Sequence, residues 1–259
     1  MKRTATTLAI TSGKGGVGKS VVAVNLAETL RAEGHTVALV DADVGQGACA
    51  VLLNETPAAG VIDLVRHAAS KAQVLHRTTS GLTLVQAAAE PGSVDGYERP
   101  LYDTLDGLLN ELRRTHRFVL IDTPAGTGGP VRWALDRADL GVLVLVDEPT
   151  AVADAYRLAK LVWQTDPDYP LCSVVNFADT EADALSVAAR FGRVTAHFTG
   201  QETMYLGWVP FSAEIRHSVA IQRPAVRQIG AISAAFRGLV QTLIEGRQPV
   251  LLPLNPELY

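Results

Sequence analysis

The chain has 259 residues, of which 47% are apolar and 19% charged, and its formal net charge is −4. This is an ordinary globular balance at a length that α/β folds use as one unit, and the charge excludes a protein that works chiefly by overall attraction to nucleic acid. The two cysteines, Cys49 and Cys172, are too few and too far apart for a disulfide framework or a metal-spaced cluster, and no apolar run approaches the ~20 residues that span a bilayer.

Strands and helices are predicted in near-strict alternation. Residues 8–11 read as a short buried strand. A helix is predicted over 20–33, where Val21, Val24, Ala27 and Leu30 recur at helical spacing and Gly34 closes it. Residues 36–40 form a β-branched run that ends in Asp41. A helix follows over 62–72 and a strand over 82–85, then an excursion loop rich in Gly, Pro and Glu over 87–100. From 101 to 115, Leu101, Leu105, Leu108, Leu109 and Leu112 fall on one side of an amphipathic helix. The strand 118–121 again feeds an aspartate, Asp122. Residues 140–146 are apolar on both faces, the pattern of a central parallel strand covered on two sides. A helix over 151–164 capped by Thr150, a strand over 172–176, a helix over 180–191, a strand near 205–209 and a last helix over 231–245 complete the reading. The expected fold class is α/β, a three-layer, mostly parallel twisted sheet with helices on both faces. One domain is expected over 1–259, with its core in 1–246 and a proline-rich tail in 247–259. No secretory signal is legible in the first seven residues, which predicts a cytoplasmic protein.

The segment Gly13-Lys14-Gly15-Gly16-Val17-Gly18-Lys19-Ser20 fits the pattern Gly-x-x-x-x-Gly-Lys-Ser/Thr and falls between the first strand and the first helix, the context this chemistry needs. Its glycines let successive N–H groups curl toward phosphate oxygens, and the helix N-terminus adds partial positive charge. Lys19 is expected to reach the β- and γ-phosphates of a nucleoside triphosphate and Ser20 to ligate Mg2+, with Val21 completing the nucleotide-binding segment. Asp41, Asp43 and Asp122 stand at or just beyond strand C-termini, where carboxylates face a ligand crevice.

Lys14 at the second position of the loop is the distinguishing residue. With it the chain resembles the deviant Walker A ATPases of the MinD/ParA family, and the resemblance runs from about Leu8 to Gly246. It implies that Lys14 reaches across a dimer interface to phosphate on the other subunit's nucleotide, so that ATP drives homodimerisation. Asp43 then positions the attacking water, and Asp41 and Asp122 support Mg2+. Pro124, Ala125 and Gly126 form switch II, which senses the γ-phosphate. Asn176 hydrogen-bonds adenine, with Pro210 and Phe211 beside the base. Lys14, Lys19 and Asp43 form the implied catalytic set. No Asn-Lys-x-Asp run occurs, which favours ATP over GTP.

The stretch Asp147-Glu148-Pro149-Thr150-Ala151-Val152-Ala153-Asp154-Ala155-Tyr156 is similar to that of the flagellar-number regulators FlhG, FleN and YlxH, as is Val209-Pro210-Phe211 followed by Ile215-Arg216. This implies a slow, Mg2+-dependent ATPase that controls the placement or number of a cellular structure, flagella first. The alternatives are MinD- or ParA-like positioning of division, chemotaxis or plasmid and chromosome cargo, and a nucleotide-gated interaction module with incidental hydrolysis. Implied partners are a second copy of the chain and a protein activator or cargo: a flagellar GTPase, a switch-complex protein or a transcription regulator. Transient membrane contact is a property of the subgroup, but Pro249, Pro253 and Pro256 preclude a regular helix in the tail. No specific nucleic acid is expected, because Arg113, Arg114, His116 and Arg117 read as a solvated helix end. Iron–sulfur relatives would need cysteines placed to bridge a cluster, which Cys49 and Cys172 do not offer.

Overall fold

The computed structural model describes residues 5–44, 47–87, 96–228 and 230–245. In chain order its elements are β1 (Thr6–Thr11), α1 (Lys19–Ala32), β2 (Val37–Asp41), α2 (Cys49–Leu53), α3 (Val61–Val65), α4 (Lys71–Val74), β3 (His76–Arg77), β4 (Thr83–Gln86), α5 (Glu98–Thr115), β5 (Phe118–Asp122), α6 (Gly129–Arg137), β6 (Leu140–Leu145), α7 (Pro149–Thr165), β7 (Leu171–Ala178), α8 (Glu181–Thr199), β8 (Met204–Pro210), α9 (Ala213–Ala220), a 3-10 turn (Ala225–Arg227) and α10 (Ala231–Glu245).

Side-chain alternation along the strands builds the layers. In β1, Leu8 and Ile10 enter one apolar cluster and Ala9 the other; in β2, Leu39 and Val40 divide in the same way. Both faces of these strands are therefore buried, and both are covered by helices. One layer draws on α1, α2 and α10, the other on α3, α5, α6, α7 and α8. The eight strands form one sheet in the order β3-β4-β2-β5-β1-β6-β7-β8. Every pairing is parallel except the short antiparallel β3 against β4. β1 lies between β5 and β6, so the chain leaves it toward one edge and later returns to build the other. Such a reversal opens a crevice at the strand C-termini.

Several expected boundaries shift for identifiable reasons. The single helix over 62–72 is two short helices, because His67 adopts φ 58° and Ser70 starts a new capping box with Gln73. The helix over 180–191 continues to Thr199, where Gly200 ends it at φ 71°. The excursion loop yields its last residues to α5, which begins at Glu98; residues 88–95 lie outside the described ones, as does the tail 247–259. Residues 129–137 were not expected to be helical, yet Gly129-Pro130 opens α6 with proline in the first turn, where its missing N–H costs nothing. The Arg113–Arg117 cluster is not a solvated helix end. Arg113 Nε donates to Thr7 Oγ1 at 3.0 Å, Arg117 donates to Thr6 Oγ1 at 2.9 Å, and His116 Nε2 meets Thr83 Oγ1 at 2.9 Å. Three of its members thus tie α5 to the starts of the strands. Phe236, Leu239 and Val240 of α10 are buried core, and no described helix is long and apolar enough to cross a membrane.

Candidate nucleotide-binding site

β1 delivers the loop of Gly13 to Gly18 to the crevice beside β5 and β6, and α1 starts directly after it. The loop rims a cavity of about 600 Å3 that is also lined by Lys19, Ser20, Val21, Asp43 and Ala125. Two glycines are fixed by close approach. A Cβ at Gly13 would lie 2.2 Å from the backbone carbonyl carbon of Asp154 in α7. At Gly18, where φ is +83°, it would lie 2.3 Å from the Asn176 side-chain nitrogen. The loop is therefore clamped between α7 and the end of β7. Asn176, expected at the base, is buried and donates its amide to the Val17 carbonyl at 2.8 Å.

The base side of the crevice holds a residue that the sequence reading missed. Phe177 follows Asn176 with φ 62° and is partly exposed, and its ring meets that of Phe211 edge-on at 6.2 Å between centroids. Arg216 stacks 5.2 Å over Phe211, while Pro210 pairs with Ala178 at the end of the sheet. An aromatic exposed beside a buried amide offers a flat face to a planar ring. Its signal in sequence was only position; the positive φ is not readable from residue type.

On the phosphate side, charge is concentrated in a buried cluster. Lys19 is 8% exposed and its Nζ lies 3.1 Å from Asp122 Oδ1. Asp41 ends β2 directly opposite Asp122 at the end of β5. Burial, followed by the charge of Asp122, pushes the Asp41 carboxyl up to about 7. Burial also raises Asp122, against the opposing pull of Lys19 and Ser20. Two buried carboxylates in mutual repulsion favour a cation between them. With the Ser20 hydroxyl at the helix start, this oxygen-rich set fits Mg2+. Cys49 was not foreseen here: its N–H donates to Asp41 Oδ2 at 3.0 Å, and its Sγ lies 3.5 Å from Asp122 Oδ2. Burial, with the two carboxylates, raises its thiol well above the usual range, which leaves it protonated. Asp43 is half-buried at the cavity wall, and its N–H donates to Asp41 Oδ1 at 3.2 Å.

The second lysine of the loop faces elsewhere. Lys14 is exposed on the rim, and its Nζ lies 2.5 Å from Glu148 Oε2 and 3.1 Å from Thr150 Oγ1. Glu148 is the N-cap residue of α7, so Thr150 sits in the first turn and not at the cap position that the sequence suggested. Pro124, Ala125 and Gly126 run from Asp122 toward α6. Gly126 N–H donates to the Ser12 carbonyl at 2.9 Å, which ties this segment to the phosphate loop.

The chain is similar to several known proteins. A family profile described as "ParA: NUBPL iron-transfer P-loop NTPase" matches residues 3–89. The chain is 30% identical over 251 residues to the antiactivator FleN of Pseudomonas aeruginosa, covering 96% of this chain and 88% of that protein. It is 28% identical to the flagellum site-determining protein YlxH of Helicobacter pylori, over 86% of this chain and 75% of that one. Among solved structures, the septum site-determining protein MinD of Pyrococcus horikoshii, complexed with Mg-ADP, superposes with a TM-score of 0.74 at 20% identity, over 92% and 96% of the two chains. The iron-transfer description finds no counterpart in the thiols, since Cys49 and Cys172 are both fully buried on separate elements.

Proposed function

The chain belongs to the ParA/MinD family of P-loop NTPases, and on that premise we propose that it is an ATP-dependent dimerising switch that hydrolyses ATP slowly to regulate flagellar placement or number in the manner of FleN. The observation that carries this reading is the division of labour between the two lysines of one loop. Lys19 is buried with Asp122 inside the chain's own phosphate site, whereas Lys14 is held on the rim by Glu148 and Thr150. A rim cation is redundant for the local triphosphate and well placed to neutralise one brought by a second copy, since two nucleotide-bearing faces repel unless cations lie between them.

In this reading the backbone of Gly13 to Ser20 cradles the phosphates, and Lys19 moves from Asp122 to the β- and γ-phosphates. Ser20, Asp41 and Asp122 would hold Mg2+, which would supply neutralisation of the charge on the phosphoryl group being transferred. Asp43 orients the attacking water. Gly126, already bonded to Ser12, couples the γ-phosphate position to α6. Asn176 secures the loop from below while Phe177, Pro210 and Phe211 flank adenine. Hydrolysis resets the switch from dimer to monomer. Similarity to FleN and YlxH along most of the chain supports flagellar regulation over other cargo.

Light scattering after size exclusion tests the core of the proposal. Wild type with ATP and Mg2+ should elute at twice the mass of the ADP-bound chain. Lys14→Ala should bind ATP in calorimetry yet stay at monomer mass. A Lys14→Ala protein that dimerises as well as wild type would overturn the cross-subunit role.

A further inference from the structure

α6 and α7 both begin at the nucleotide site and end at the opposite edge of the sheet. The N-cap of α6 is Gly128, just past switch II, and that of α7 is Glu148, the partner of Lys14. α6 along its length from Gly129 and the C-terminal half of α7 border a cleft of about 780 Å3, below the starts of β6 and β7 and larger than the cavity at the phosphate loop.

The cleft has an apolar floor and an acidic rim. Trp133, Leu135 and Val162 are buried beneath it, and Tyr169 crosses it with its hydroxyl donating to the Leu135 carbonyl at 3.0 Å. Asp136, Asp139 and Asp166 are exposed around it. Arg137 also borders it but is neutralised by a bidentate pair with Asp106 at 2.6 and 2.8 Å, with Asp136 Oδ2 a further 3.9 Å from its Nη1. The rim thus sets three carboxylates against one further guanidinium, that of Arg132. The negative field is felt by Tyr169, whose hydroxyl is raised by burial and then by Asp139, Asp136 and Asp166.

We propose that this cleft docks a basic, amphipathic segment of a partner protein, and that α6 and α7 couple its occupancy to the nucleotide. Apolar side chains of such a segment match the Trp133–Val162 floor, and lysine or arginine at its flanks matches the rim. An anionic membrane is repelled by the same carboxylates. Docking stands on the cleft alone, whereas the coupling rests on the switch reading above. Each helix starts at a nucleotide-sensing loop and borders the cleft, α6 along its whole length and α7 at its far end, which is the physical link that coupling needs.

The test uses the full chain and an amphipathic helical peptide of about 18 residues built from leucine and lysine, with a leucine–glutamate peptide as control. The lysine peptide should bind saturably in calorimetry, weaken with salt, and slow hydrogen exchange in residues 129–139 and 161–170. The double variant Asp136→Lys with Asp166→Lys should lose affinity by about tenfold or more while still binding ADP as wild type does, which certifies its fold. Asp139 is left intact because its Oδ2 accepts the Thr7 N–H at 2.7 Å. Undiminished binding by the variant, equal binding of the glutamate peptide, or protection confined to other surfaces would overturn docking. The lysine peptide should also change the wild-type ATPase rate by about twofold or more, and an unchanged rate at saturation with intact docking would overturn the coupling alone.

Discussion

Single residues divide the work of the site by their environment. Asp43 is half-buried and within reach of the cavity, whereas Asp41 and Asp122 are sealed beneath it. Asp43→Ala should therefore leave ATP binding intact, lower phosphate release by about 10²-fold or more, and accumulate the dimer; a mutant that turns over at the wild-type rate would remove Asp43 from the reaction. A different carboxylate reports on stability. Asp106 is lowered chiefly by its hydrogen bonds from Arg137, with the Trp133 indole adding to them against partial burial. A depressed native pKa favours folding above the unfolded value of about 3.9, and that contribution fades as pH falls through the native value. Wild type should thus lose melting temperature more steeply than Asp106→Asn as pH drops below about 4, a difference that parallel melts across the acid range would expose. The loop residues stood out in sequence because their types and spacing are those a phosphate cradle requires. Glu148 stood out in sequence as a subgroup marker and Thr150 as that and a helix cap, and their contact with Lys14 depends on the fold joining positions more than 130 residues apart.

Elements with a strong periodic face were legible, and those built on local exceptions were not. α5 keeps Leu101, Leu105, Leu108, Leu109 and Leu112 buried, as their spacing predicted. Leu105→Ala should cost about 2–5 kcal/mol in chemical denaturation, the range for deleting a fully buried leucine side chain. The break at His67 between α3 and α4 has no compositional flag, because a left-handed histidine looks like any other. α6 was hidden for the converse reason: Gly128-Gly129-Pro130 carries the composition of a turn while serving as the start of a helix. The phosphate loop is an element in its own right, held by contact as much as by its glycines. Gly18→Ala would force a Cβ into the Asn176 amide in a backbone region that favours glycine. Nucleotide affinity should fall by about tenfold or more, measured by calorimetry with ADP, and an unaltered affinity would show that the clamp is dispensable.

At the scale of the molecule, one sheet sets where chemistry collects. Central β1 places the loop at the crevice, and its neighbour β5 and the next strand β2 bring Asp122 and Asp41 to the same edge. Alternation of strands and helices announced the layers, but strand order was not written in any local pattern, because pairing is decided by long-range packing. A ligand that binds only the folded state at a hundredfold excess over its Kd adds about 2.7 kcal/mol of stability. With Mg2+ present, ATP should raise the melting point by several degrees, about 2–4 °C per kcal/mol for a chain near this size, and the gain should grow with protein concentration if the bound form is a dimer. The bond from the Asn176 side chain to the Val17 carbonyl has a further consequence for redesign. Any exchange at residue 176 removes the bond that holds the phosphate loop from below, so a substitution aimed at the neighbouring aromatic side of the crevice should also loosen the loop's hold on phosphate.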